Sequence, residues 1–120
     1  MKVISGLKAR LNGIRAEKSA RNYLIKQGLT FCEANYHCKW GEIDLIFRHA
    51  EQWVFVEVKS RASSEFGTAE EFYTPGKRKK LHKAIMHWLS SQGLNPEITN
   101  FRIDLVAIND DKVDWYQCVE

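Results

Sequence analysis

Several absences bound this chain before any motif is read. No apolar run approaches the roughly 20 residues of a bilayer span, and the first residues lack the apolar core of a signal peptide. The cysteines number only three, an odd count without a dense framework, which suits a reducing compartment. A cytoplasmic protein without membrane attachment is therefore expected. Neither charge dominates: 18 Lys and Arg against 15 Asp and Glu give +3, so net charge alone selects no partner. A phosphate-binding P-loop is excluded, because no glycine stands five residues before Gly76 and no Ser or Thr follows Lys77. Cys32, His37 and Cys38 match no common zinc spacing, and the cysteines are read as small core residues. Repeats, low-complexity segments and linkers are missing. What remains is 120 residues, 44% hydrophobic and 28% charged, the composition of one globular domain spanning 1–120.

The most informative stretch runs from Trp40 to Arg61. Ile43, Leu45 and Phe47 alternate with Glu42, Asp44 and Ile46, and Val54, Val56 and Val58 alternate with Phe55, Glu57 and Lys59. That period of two predicts two strands. With His49 to Gln52 as the hairpin loop, Arg48 pairs with Trp53 and Asp44 falls opposite Glu57. Opposed residues share a face with Cβ atoms roughly 4.5–5.5 Å apart. Lys59 lies on that face about 6.6 Å further along. Two facing carboxylates repel unless something offsets them, and a divalent cation with oxygen ligands would do so. A nearby ammonium could then orient a water or stabilise charge on a phosphate. A solvated charged face is the plainer reading, but Ile46 and Phe55 share the row.

Asn12 to Gln27 has helical spacing, with Ala16, Ala20, Tyr23, Leu24 and Gln27 along the buried stripe and Gly28 as the stop. Met1 to Leu11 is a short basic lead-in, either a frayed arm or the first turn of the helix that follows. Glu17 sits at the stripe's edge, where spacing alone suggests a surface pair with Arg21. Leu29 to Lys39 reads as extended. Ala62 to Gly76 reads as a long loop, then Lys77 to Ser91 as a second helix burying Leu81, Ala84, Ile85, Trp88 and Leu89. Lys77, Arg78, Lys79 and Lys80 open that helix and Lys83 follows, against the macrodipole. They form either a solvated face or a phosphate-backbone contact that Arg61 would extend. His82 and His87 are read as structural. Asn100 to Ile108 and Val113 to Val119 complete the strands. Asp104, in Ile103-Asp104-Leu105, rivals Asp44 as a metal-binding aspartate but would face Gln117, with no second carboxylate or lysine.

Asp44 followed by Glu57-Val58-Lys59 resembles the D…(D/E)-x-K arrangement of the PD-(D/E)xK nuclease superfamily. A fuller match joins Ala16-Glu17, Gly41 to Ile46, Val54 to Lys59, Phe66-Gly67, Thr74-Pro75 with Lys77, and Phe101 to Leu105. Together these closely resemble the bacterial YraN-like family, described as uncharacterised or as endonucleases. The resemblance implies a restriction-endonuclease-like α/β fold, a mixed sheet of about five strands flanked by helices, similar to archaeal Holliday junction resolvases. It also implies a site: Asp44 and Glu57 as ligands of Mg²⁺ or Mn²⁺, Glu17 as third acid, the Val58 carbonyl as a further ligand and Lys59 as catalytic lysine. Ala16 and Gly76 depart from the family pattern, which has Gly and a basic residue there. The implied activity is endonucleolytic cleavage of DNA, branched DNA included, by a homodimer or with a recombination or repair partner. The competing expectations are a non-catalytic nucleic-acid-binding accessory module and a protein-interaction domain.

Overall fold

Strand propensity concentrates in two blocks, and the computed structural model pairs them in one sheet. It describes residues 2–62 and 67–119, with side chains from Asn12 onward. Strands β1 (Thr30–Cys38), β2 (Gly41–His49) and β3 (Gln52–Arg61) form an antiparallel meander. β4 (Phe101–Asn109) lies parallel to β3, and β5 (Lys112–Tyr116) returns antiparallel, giving the order β1-β2-β3-β4-β5. Helix α1 (Lys2–Lys26) covers one face and helix α2 (Pro75–Ser91), within the β3–β4 crossover, covers the other. This is the mixed α/β architecture expected, with five strands flanked by helices.

Each face has its own core. Ala16, Ala20 and Leu24 of α1 pack on Leu45, Phe47, Val54, Val56, Val106 and Ile108. Leu81, Ala84, Ile85, Trp88 and Leu89 of α2 pack on Ile43, Ile46, Phe55 and Ile103. The predicted α2 stripe is buried throughout, whereas of the α1 stripe Ala16, Ala20 and Leu24 are buried, Tyr23 is half-buried and Gln27, past the helix end, is exposed. Each fully covered Phe or Leu contributes roughly 1.5–3 kcal/mol. The register also follows the sequence, with Arg48 against Trp53, but His49 and Gln52 are themselves the last ladder pair, so the turn is only residues 50–51 and shorter than the loop expected.

Five readings need correction. Ile43 does not share a row with Leu45 and Phe47; it joins the α2-side core, whereas Leu45 lies on the α1 side. Asn35, opposite this point in β1, adopts φ 56, and the irregular backbone breaks strict alternation at Asp44. The first helix begins at Lys2, well before Asn12. The segment read as loop up to Gly76 contains a short 3-10 helix, Ala69–Phe72, and Pro75-Gly76 belongs to α2. The last strand ends at Tyr116 instead of Val119. Finally, Cys32 and Cys118 are exposed and only Cys38 is half-buried, so the cysteines are not core residues. Phe66, part of the family resemblance, lies outside the described residues.

Candidate active site

The site forms where β2 and β3 stop pairing. Their ladder last pairs at Leu45–Val56; beyond it the Asp44 side chain replaces a backbone partner, Oδ2 accepting the Val58 N–H at 2.8 Å. Freed from the row, Asp44 meets Glu57, and the two carboxyls share a hydrogen bond. Lys59 Nζ lies 3.2 Å from Glu57 Oε1, and both side chains are largely buried. In a strand a residue's N–H and C=O face the same neighbour, so the Val58 carbonyl is directed to the Asp44 side as well.

Electrostatics follow from this crowding. Burial, then the adjacent Asp44 charge, pushes the Glu57 carboxyl up to about 7, against the opposing pull of Lys59. Burial also raises Asp44, although the Val58 N–H, Glu57 and Lys59 favour its charged form. Such a pair holds a proton at neutral pH because its two charges cannot both be desolvated together.

Glu17 reaches toward the pair from α1. Burial first, then Asp44 and Glu42, raises its carboxyl, while Asn35 opposes the shift. With its amide nitrogen turned to α1, Asn35 donates to Glu17 Oε1 at 2.6 Å. The expected Glu17–Arg21 pair is not what holds this residue, since the Arg21 guanidinium lies over the Phe31 ring. Asn35 was missed in the sequence; its only signal was a turn-forming residue inside a strand.

Lys77 is positioned by a cap. Thr74 Oγ1 accepts the Lys77 N–H and Pro75 occupies the first helical turn, so the Thr74-Pro75 string fixes where α2 starts. Lys77 thereby sits against the Lys59 amine, which lowers its hold on a proton, with Arg61 adding to the effect and Glu57 opposing it. Arg61 itself lies over the Phe72 ring, 3.5 Å from its centroid. Gly41 is required by the same packing: its φ is +155, and a Cβ there would stand 3.1 Å from the Lys80 carbonyl oxygen.

The structure therefore gathers Asp44, Glu57, Lys59 and Lys77, with Glu17 alongside. The remaining basic residues lie apart from this cluster. Arg78, Lys79 and Lys83 line a cavity of about 610 Å³ with His82, Phe101 and Arg102, and Lys80 is exposed on α2.

Among the described residues no group of three or more His, Cys, Asp and Glu is close enough to hold a metal ion, so Glu17 does not complete a three-acid cluster. The two carboxylates and the Val58 carbonyl are all hard oxygen donors, of the kind and number that Mg²⁺ accepts beside water. A cation there would replace the proton that the pair otherwise retains. The residues fit.

Asp104 does something else. Its buried carboxylate accepts Arg102 Nε at 3.0 Å, Trp115 Nε1 at 2.9 Å and the Cys118 N–H at 3.0 Å. Arg102 also donates to Gln52 Oε1, tying β4 to the β2–β3 turn. This aspartate is a structural post without a second carboxylate.

Residues 16–108, which contain Glu17, Asp44, Glu57, Lys59 and Lys77, match the model of the uncharacterised protein family UPF0102. The chain belongs to that family. It is 47% identical over 100 residues to a UPF0102 protein of Aliivibrio salmonicida, covering 83% of this chain and 81% of the relative. A UPF0102 protein of Shewanella frigidimarina is 45% identical over 106 residues, 88% of this chain and 95% of its own. One from Yersinia pseudotuberculosis is 42% identical over 103 residues, 86% and 88% respectively. Among the described residues of this UPF0102 chain, no helix is long and apolar enough to cross a membrane.

Proposed function

We propose that this UPF0102 protein is a YraN-like, PD-(D/E)xK-type endonuclease that hydrolyses phosphodiester bonds in DNA with Mg²⁺ or Mn²⁺, branched or junction DNA included. The observation that carries this reading is the Asp44–Glu57 pair: two buried carboxyls sharing a hydrogen bond, with Lys59 3.2 Å from Glu57. A folded protein gains nothing in stability from such a pair, so a chemical role explains it better than an architectural one.

Asp44, Glu57 and the Val58 carbonyl would hold the cation, with Glu17 as a further acid behind Asp44. When bound, a divalent cation polarises the phosphate and favours ionisation of water. Lys59 is placed to orient the attacking water at Nζ and to support negative charge building on the phosphate. Lys77 adds a second ammonium on that side. Arg61, Arg78, Lys79, Lys80 and Lys83 would displace counterions from the backbone, which makes binding fall steeply with salt. Two copies would suit a two-fold junction, recruited in the cytoplasm by recombination or repair proteins.

The test is cleavage of labelled duplex, flap and four-way-junction DNA with either metal. Wild type should cut, and Lys59→Ala and Glu57→Ala should each lose about 100-fold or more in rate while still binding. Cutting retained by Glu57→Ala would sink the assignment.

A second reading has its own observation. Because no three-acid group is assembled among the described residues, the fold could serve as a binding-only accessory of a recombination or repair machine. That module would give no Mn²⁺ heat dependent on Asp44 in calorimetry.

A further inference from the structure

We propose that Trp40 is a stacking platform for an unpaired nucleobase, so that the favoured substrate carries single-stranded nucleotides beside the Asp44–Glu57 site. The inference rests on the nuclease reading for the polymer's identity, and on separate residues for the contact. Of the chain's four tryptophans, Trp88 is buried, Trp53 packs on it and Trp115 is committed to Asp104. Trp40 alone among them is 46% exposed, although it lies in a tight turn between β1 and β2.

The surroundings of the ring favour an anionic, aromatic ligand. Lys39 Nζ is 4.8 Å and Lys83 Nζ 5.6 Å from its centroid. Beside it, a groove of about 430 Å³ is lined by Trp40, Lys83, Met86, His87 and Ser90, with no carboxylate in the lining. One wall residue is held in place, because the Tyr36 hydroxyl meets His87 Nδ1. Gly41 seats the turn on the Lys80 carbonyl, so Trp40 is held at a defined place. An incoming base would displace a lysine from the ring, an exposed cation–π contact being weaker than base stacking. The freed ammonium would then meet the flanking phosphate. Paired bases hide their faces inside a duplex, so a ring-face contact selects unpaired nucleotides or ends. Asp44 is four residues after Trp40, at most about 13 Å even for a fully extended chain, within reach of the same strand of nucleic acid.

The test compares a short oligothymidine with a blunt duplex, using intact protein without metal and two readouts, tryptophan fluorescence and affinity. Oligothymidine should quench wild-type fluorescence. Trp40→Ala should lose about tenfold in affinity for it while duplex affinity holds. Trp40→Phe, which keeps an aromatic face, should recover most of that loss. Equal loss on both DNAs, no loss, Phe no better than Ala, or no binding by wild type would each overturn the platform. Quenching that depends on Trp40, in a protein that cuts nothing, would leave the platform standing and remove the nuclease. Metal-dependent cutting without any Trp40 preference would do the reverse.

Discussion

The tripeptide Ile-Asp-Leu occurs twice, at residues 43–45 in β2 and 103–105 in β4, and the two aspartates meet opposite surroundings. Asp104 is fully buried and receives an arginine, an indole and a backbone amide. Asp44 receives one backbone amide and faces a second carboxyl. The first arrangement neutralises its charge with fixed donors and ties β4, β5 and the β2–β3 turn together. The second leaves two acids competing for one proton. Local sequence is the same in both; the strand across the ladder decides whether the aspartate stabilises the fold or is kept available for chemistry.

That contrast can be broken from either side. Asp104→Ala should cost most, about 3–5 kcal/mol, because it strands the Arg102 charge in the interior; urea denaturation would measure it. Glu57→Gln should act in the other direction. Its carboxyl is pushed from the ordinary 4.5 up to about 7 on folding, so it costs the fold nothing below 4.5, where it is protonated in both states, and costs progressively more as pH rises through 7. The substitution should therefore raise stability at pH 8 by on the order of 2 kcal/mol and change little at pH 4, where Glu57 is protonated in both states. An unaltered pH slope in Glu57→Gln would contradict the pairing described. A smaller effect follows for metal: Mn²⁺ at tenfold over its Kd should add about 1.4 kcal/mol to wild type in a thermal melt and nothing to Asp44→Asn. Trp115→Phe, removing one of three donors to Asp104, should cost only about 1 kcal/mol.

Much of this was legible in the chain, and the exceptions share a cause. Alternation and a short turn set the Arg48–Trp53 register, and the ladder runs from it to Leu45–Val56; Asp44 meets Glu57 by its side chain, one step past the last paired residues. The stripes of α1 and α2 could be read for the same reason: helix period and core burial are local patterns. The transfer of Ile43 to the α2 side could not, because it coincides with an irregularity between paired strands, where Asn35 of β1 has φ 56, and such an irregularity leaves no periodic trace. The 3-10 helix was equally hidden. It is held by Asn109, which donates to Glu70 Oε1 and accepts the Ala69 N–H from forty residues away. Glu17 was placed correctly at a helix edge, yet its Asn35 partner comes from tertiary packing and leaves no periodic trace.

The parallel pairing of β3 with β4 has a consequence for the order of assembly. β1, β2 and β3 close through turns of a few residues, whereas β4 must wait for the whole 62–100 crossover to be threaded and closed. Short loops close first, since chain entropy penalises distant contacts before they can repay it. The meander also leaves the ribosome ahead of the crossover, so β2 and β3 are free to pair before α2 can bring Lys77 beside Lys59. An acidic pair formed in that interval would lack the second ammonium, and a proton on one carboxyl would ease it.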